Sequence, residues 1–313
     1  MQKNSQLYNL TQNTQGAIFR AAYQHYLVSL EEEGRDRPTL PQILQLRGGY
    51  AESPAWIMVQ VAEFLPEPLT VERFRRRAVY SAPGLIHGFL ELLASEKYLD
   101  RIGDEYHVTD AGREVIETMT LRRTSILTGF EPLPQSDLDR LENRMRRVID
   151  ASLQADDPPG TWCLEHSRKR APTESAPALI KLVRYCADLN AFRDDCHMAA
   201  YRRHDLDGRT WEAFNYVTQG TAKTSAELFD QLAYRGFSRT EWGQSLKVLV
   251  PRGWLEESAG EYTVTDSGKA IYDAVEEQTD AYFYAPWDTL SGVEFAELCR
   301  LLQLVHDRSL ETE

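Results

Sequence analysis

Two stretches of this chain are near copies of each other. Residues 98–112 read YLDRIGDEYHVTDAG and residues 254–268 read WLEESAGEYTVTDSG, in gapless register at an offset of 156. Seven of the fifteen pairs are identical: Leu99/Leu255, Glu105/Glu261, Tyr106/Tyr262, Val108/Val264, Thr109/Thr265, Asp110/Asp266 and Gly112/Gly268. An offset of about half the chain marks an internal repeat. Whatever one copy folds into, the other is expected to fold into as well, and we read the pair as a tandem duplication.

Each copy has simple local physics. A helix with an apolar end runs out at Tyr98-Leu99, or at Trp254-Leu255. A short strand follows, then a glycine-containing tight turn (Ile102-Gly103-Asp104 or Ser258-Ala259-Gly260), then a returning strand with Tyr and Val in alternation. Asp110 and Asp266 are expected as N-caps of the next helix, because Asp accepts from the free N–H groups there. Helix, hairpin, helix is the wing of a winged helix-turn-helix. The expected fold class is mainly α with small β-hairpin wings: two winged helix-turn-helix domains in tandem with added helices. The first spans 1–156, with its wing at 99–109; the second spans 157–313, with a helical segment at 178–204 and its wing at 255–265.

With 313 residues and 42% hydrophobic content, the chain suits two ordinary domains with real cores. It holds no apolar run long enough for a membrane span and no continuous apolar segment at its start, so a cytoplasmic protein with no membrane partner is expected. Four cysteines do not make a disulfide framework in so long a chain. The net charge is −13: 18 basic against 22 acidic residues in 1–156, and 17 against 26 in 157–313. Affinity for DNA rests on neutralising phosphates, so binding requires basic residues gathered on one face.

Along the chain, residues 7–30 place Ile18, Ala22, Tyr26 and Leu30 at helical spacing, as a helix packed on the first winged motif or an arm pairing with another chain. The polar stretch from Glu31 to Pro41 reads as a loop, and 54–65 as a buried helix with Pro54 near its start. The segment LTVERFRRRAVYSAPGLIHGFLELLASEKYL reads as two helices about a turn at Tyr80 to Pro83. Thr70 caps the first, whose Arg73, Arg75, Arg76 and Arg77 form the densest basic cluster in the chain. The second turns Leu85, Leu90, Leu93 and Ala94 inward and His87 and Glu91 outward, and is the element expected in a DNA major groove. Its counterpart is TSAELFDQLAYRGFSRTEWGQSLKVLVPRGWL, in which Ser225 is set against Thr70 and the arginine cluster is missing. A helix over 110–130 ends at EPLPQ, 136–154 reads as an exposed connecting or dimerising helix, and ADDPPGT reads as a linker with the domain boundary near Asp157. Helices are expected over 178–185 and 192–201, and a final one after an aromatic break.

The wing and its flanking helices resemble the MarR-type winged-helix superfamily, whose members show a leucine-rich recognition helix, a short wing and a T-x-x-G entry into the next helix. Residues 178–304 more specifically resemble a group of actinobacterial winged-helix proteins related to the SalK biosynthetic protein. The residues that carry this likeness are Arg193-Asp194-Asp195-Cys196-His197, Leu206-Asp207-Gly208, Arg252-Gly253-Trp254-Leu255, Thr265-Asp266-Ser267-Gly268, and Thr279-Asp280 with Pro286-Trp287. In that specific form the resemblance covers about 40% of the chain and leaves out the first half.

The phosphate-binding, dinucleotide, zinc-protease and nucleophile-elbow motifs are all missing, so no cofactor is implied and a non-enzymatic role is the expectation. Two constellations remain. DNA contacts are expected at Arg73, Arg75, Arg76, Arg77, Ser81, His87 and the wing residue Arg101; the alternative is that the arginines form a solvated helix face. A ligand site is expected at Asp194, Asp195, His197, Tyr201, Arg202 and His204, with Arg203 beside them, since His197 and Tyr201 stand one helical turn apart. The alternative there is a buried histidine bonded to a neighbouring helix. Cys163, His166, Cys186, Cys196 and His197 carry metal-binding atoms at a spacing that matches no ordinary zinc framework, and no metal is expected. Tyr282, Phe283, Tyr284 and Trp287 line a ligand cavity or pack as core.

These readings add up to a DNA-binding transcriptional regulator of MarR-like type with double-stranded DNA as partner. Its first winged motif binds DNA, while the second, with Glu256 and Glu257 on its wing, is diverged to sense a small-molecule effector or to pair as a homodimer or intrachain pseudo-dimer. The alternative is a small-molecule-binding or catalytic protein on a winged scaffold that does not bind DNA.

Overall fold

The computed structural model describes residues 2–36, 44 and 53–311. The chain opens with α1 (Gln2–Glu32); the far part of the loop expected up to Pro41 lies outside the described residues. Ser53 caps α2 (Pro54–Val61), its hydroxyl accepting from the Trp56 N–H at 3.1 Å, with Pro54 at the first turn where a missing N–H costs nothing. α3 (Val71–Arg75), α4 (Pro83–Ser95) and the hairpin β1 (Leu99–Ile102) and β2 (Glu105–Val108) complete the first winged motif. Next come α5 (Asp110–Leu127), α6 (Gln135–Leu153) and α7 (Trp162–Arg168). α8 (Ala178–Arg202) is one unbroken helix where two were expected, because neither Gly nor Pro interrupts it. The second winged motif follows in α9 (Gly208–Thr218), α10 (Ser225–Gln231), α11 (Arg239–Lys247) and the hairpin β3 (Leu255–Ser258) and β4 (Glu261–Val264). α12 (Asp266–Tyr284) and α13 (Gly292–Glu311) close a fold that is mainly helical, with two small antiparallel hairpins.

The two wings match residue for residue. Leu99 pairs with Val108 and Leu255 with Val264, and in each the buried positions are the first Leu and the central Tyr. Tyr106 also exchanges backbone hydrogen bonds with Leu69, just ahead of α3; the Tyr262 N–H donates to the Lys223 carbonyl just ahead of α10. The N-caps of α3 and α10 are Thr70 and Thr224, one residue earlier than the Ser225 expected in the second copy.

The helix after each wing is capped by threonine, not by the aspartate expected. Thr109 Oγ1 accepts from the Gly112 N–H at 3.0 Å and Thr265 Oγ1 from the Gly268 N–H at 2.9 Å, while Asp110 and Asp266 are the first helical residues. The same hydroxyls donate to the carbonyls of Lys97 and Gly253, which end the recognition-helix segment. A threonine can do both, because a hydroxyl donates and accepts whereas a carboxylate only accepts. Gly112 and Gly268 are required by close approach: a Cβ there would stand 2.2 and 2.1 Å from the carbonyl oxygens of Tyr98 and Trp254.

The residues cluster into two compact units, each drawing on both halves of the sequence. One comprises 1–41, 114–196 and 280–313; the other comprises 42–113 and 197–279 and contains both winged motifs. The boundary expected near Asp157 therefore falls inside the first unit. In that unit α1 packs along α13, and α6 lays Leu138, Leu141, Met145, Val148 and Ile149 inward, packing on α13 and on the 3-10 turn at Ala285–Thr289. Its arginines pair outward from that stripe, Arg140 and Arg144 with Glu297 and Arg147 with Glu294. Thus α6 is not a free connecting helix. The C-terminal aromatics are core: Phe283 and Trp287 are buried, and Phe283 meets Tyr8 edge-on at 5.6 Å. Arg193 lies over the rings of Tyr8 and Phe283 and pairs with Asp280 at 2.9 Å, which joins two of the sequence motifs in one contact.

Gly112→Ala and Gly268→Ala are each expected to lower unfolding free energy by more than about 2 kcal/mol in urea melts, since a rigid backbone carbonyl must move. At the helix end preceding each wing, Lys97 holds φ +66 where the second copy has Gly253 at φ +70. Lys97→Gly is expected to be neutral or to stabilise by up to about 1 kcal/mol in the same measurement.

Candidate nucleic-acid interface

The arginine cluster of the first winged motif is largely consumed inside the fold. Arg77 pairs with Glu63, whose side chain is only 1% exposed, and a carboxylate so buried needs its own cation. Arg73 pairs with Glu67, donates to the Pro68 carbonyl at 2.8 Å and lies over the Phe64 ring. Arg75 is half-buried and Arg76 exposed, while Ser81 is 1% exposed at the turn before α4.

The wing charge is neutralised in the same way. Arg101 pairs with Glu91 of α4 at 3.0 Å and donates to the Gly103 carbonyl. Tyr106 donates its hydroxyl to Glu91 and lies 3.1 Å from His87 Nδ1, so both outward residues of α4 are fastened to the wing. This hydrogen bond holds the Glu91 carboxyl below the usual carboxylate range; burial and the same bond push the Tyr106 phenol up to about 12.

The second winged motif reverses the pattern. At the offset of 156, the α4 positions Pro83, Gly84, Gly88 and Glu91 correspond to Arg239, Thr240, Gln244 and Lys247 of α11. All four α11 side chains are exposed, and neither Arg239 nor Lys247 has an ion pair among the described residues. The apolar side of α11 is anchored by buried Trp242 and Leu246, and a capping box between Ser238 and Glu241 satisfies its first turn. Gly84 and Gly88 have no packing reason to be glycine, since a Cβ at either meets nothing within 4 Å. Arg239, Thr240, Gln244 and Lys247 were not singled out from the sequence. Comparing the two recognition helices at the wing's own offset would have found them.

The turns that precede α4 and α11 lie against each other. The N–H of Ala82, the N-cap of α4, donates to the Arg235 carbonyl at 2.8 Å, three residues before the N-cap of α11. Leu85 packs on Gly236, where a Cβ would come within 2.7 Å, and the Val79 carbonyl packs on Gly208 equally closely. Arg235 lies over the Tyr80 ring and pairs with Glu212 at 2.8 Å.

The expected ligand patch divides. On α8, Asp194 and Asp195 belong to the first unit and His197, Tyr201 and Arg202 to the second, as does His204 in the turn just beyond the helix. Asp195 is buried and accepts from the Cys163 and Leu164 N–H groups at 2.9 Å, capping the first turn of α7. Burial pushes its carboxyl up to about 6, against the opposing pull of those hydrogen bonds. His197 meets the Tyr80 hydroxyl at 3.4 Å through Nδ1 and Glu276 at 3.3 Å through Nε2, and its ring stands edge-on to Trp211 and Tyr201. Trp211 stacks between Tyr201 and Tyr272, with its own Nε1 buried and unpaired. Arg202 is exposed, and His204 packs edge-on to Trp254. Among the described residues no group of three or more side chains could hold a metal ion, and no helix is long and apolar enough to cross a membrane.

A helix-turn-helix family matches residues 131–313, more than half of the chain, and the chain belongs to that family. The match takes in α11 and its wing and leaves the first winged motif outside. Membership of such a family points, at a general level, to a DNA-binding regulator. No curated protein and no solved structure matches the chain.

Asp195 makes the stability of the fold depend on pH. Its folded-state carboxyl titrates at about 6 against an ordinary value of 3.8, so the folded form binds more protons between those values. Stability then falls as pH rises from about 4 to about 6, by about 2 to 3 kcal/mol from this group. Urea melts of Asp195→Asn over that range should lack this part of the fall.

Proposed function

We propose that the protein is a cytoplasmic DNA-binding transcriptional regulator of the MarR-like winged type, arisen by tandem duplication, with α11 carrying its contacts to base edges. The observation that supports this most is the exposed row Arg239, Thr240, Gln244 and Lys247, on a helix whose opposite face is core. Arg and Gln are side chains that make paired hydrogen bonds to guanine and adenine edges in the major groove. Of the first motif's cluster, Arg73, Arg77 and Arg101 are committed to carboxylates. The ring cluster around His197, bonded to Tyr80 of the first helix-turn-helix, is the place where a small-molecule effector would act on the motif. The two winged motifs of one chain pair with each other through the turns before α4 and α11, as an intrachain pseudo-dimer in which only α11 reads bases.

A second reading, a small-molecule binder on a winged scaffold without DNA, is favoured by the unpaired Trp211 Nε1 beside His197 and by the net charge of −13. The two readings separate in one gel-shift series using duplexes from the protein's own upstream region. The regulator is expected to retard one of them at about 50 mM salt and to release it by about 200 mM, as phosphate contacts require. Glu256→Lys and Glu257→Lys should tighten the complex, because each replaces a charge that repels phosphate. Retardation of no duplex at low salt would rule the regulator out.

A further inference from the structure

The contact between the two helix-turn-helix turns limits what one chain can read. In winged and related motifs the N-terminal residues of the recognition helix touch base edges, and paired motifs place these starts about 34 Å apart, one helical turn of DNA. Here Ala82, at the start of α4, is hydrogen-bonded to Arg235, three residues before the start of α11. Allowing about 5.5 Å across that bond and 3.8 Å per residue beyond it, the two starts are at most about 17 Å apart. They cannot enter successive major grooves on one face of the duplex. The turns are also in close contact, with Gly236 and Gly208 packed against Leu85 and Val79 without room for a Cβ.

We infer that the two winged motifs of a chain form a single reading head for one uninterrupted stretch of duplex DNA, in which α11 reads bases and α4 only supports it. This rests on the DNA-binding reading above. The chemistry of the two helices decides which one reads. The outer face of α4 offers Pro83, Gly84 and Gly88, with His87 and Glu91 held by Tyr106 and Arg101. α4 carries no Lys, Arg, Asn or Gln. The outer face of α11 offers Arg239, Thr240, Gln244 and Lys247, free of ion pairs among the described residues. Arg239 near the helix start suits a guanine edge and Gln244, just over one turn on, an adenine edge.

The test is selection from a randomised duplex library with the full chain, followed by affinity and stoichiometry on the enriched sequence. The expected motif is one block shorter than about 10 base pairs, one helical turn, bound by one chain. Arg239→Ala and Gln244→Ala should each weaken binding about tenfold or more and relax the preference at one position, while His87→Ala and Gly88→Ala stay within about twofold. All four positions are exposed, and unchanged melting temperatures would show that folding is intact. Two blocks one helical turn apart occupied by a single chain would overturn the inference, as would losses in His87→Ala with Arg239→Ala and Gln244→Ala unaffected. If the wild-type chain enriches no duplex at low salt, the regulator reading fails and this inference fails with it.

Discussion

The N–H of Ala82 begins α4 inside the protein, and a buried backbone donor must find an acceptor. It finds the Arg235 carbonyl, and much of the arrangement of the winged motifs follows from that bond. The close approach leaves no room for a Cβ at Gly236, which meets the Leu85 side chain, or at Gly208, which meets the Val79 carbonyl. Arg235, whose carbonyl is the acceptor, uses its guanidinium to cover Tyr80 and to pair with Glu212, so one residue fixes the contact at both ends. A helix-turn-helix normally keeps this turn open for its target. In this chain each motif spends it on the other.

Charge is distributed by the same economy. A protein with net charge −13 has few cations to spare, and the first winged motif uses Arg73, Arg77 and Arg101 to satisfy Glu67, Glu63 and Glu91. The second motif carries the opposite assignment, with Lys247 where the first has Glu91 and Glu257 where it has Arg101. Inverting both members of a pair keeps the local sum of charge while moving the positive member from the wing to the recognition helix. Because Lys247 has no ion pair among the described residues, that cation stays available to solvent or to a phosphate.

Sequence repeat and spatial unit are different things in this molecule. The repeat divides the chain near its middle, yet the compact units interleave, and α8 and α12 each contribute to both. α8, with no Gly or Pro inside it, runs from one unit into the other without a loop. That is why ADDPPGT, which has every compositional mark of a linker, lies within a unit and not between two.

The fold class was legible because it depends on local rules: alternating Tyr and Val, a tight turn, and a T-x-x-G entry whose glycine must accept a carbonyl at about 2 Å from any Cβ. The same rules misplaced small features, taking Asp110 for the cap where Thr109 has the bifunctional hydroxyl. The candidate interface was legible only in part. A row of four arginines looks like a phosphate surface in one dimension, and nothing in the sequence says that Glu63 and Glu67 fold back to meet them. Likewise Asp194, Asp195 and His197 look like one patch, although on a helix they point to different neighbours, one of them to the N-terminus of α7. By itself the sequence determined that one motif occurs twice and what each copy must look like, since those constraints act between residues near in the chain. Only the tertiary structure decided which recognition helix keeps a free, charged face and that the two turns lock together, because the ion pairs form between separate elements and the turns meet across more than a hundred positions of chain.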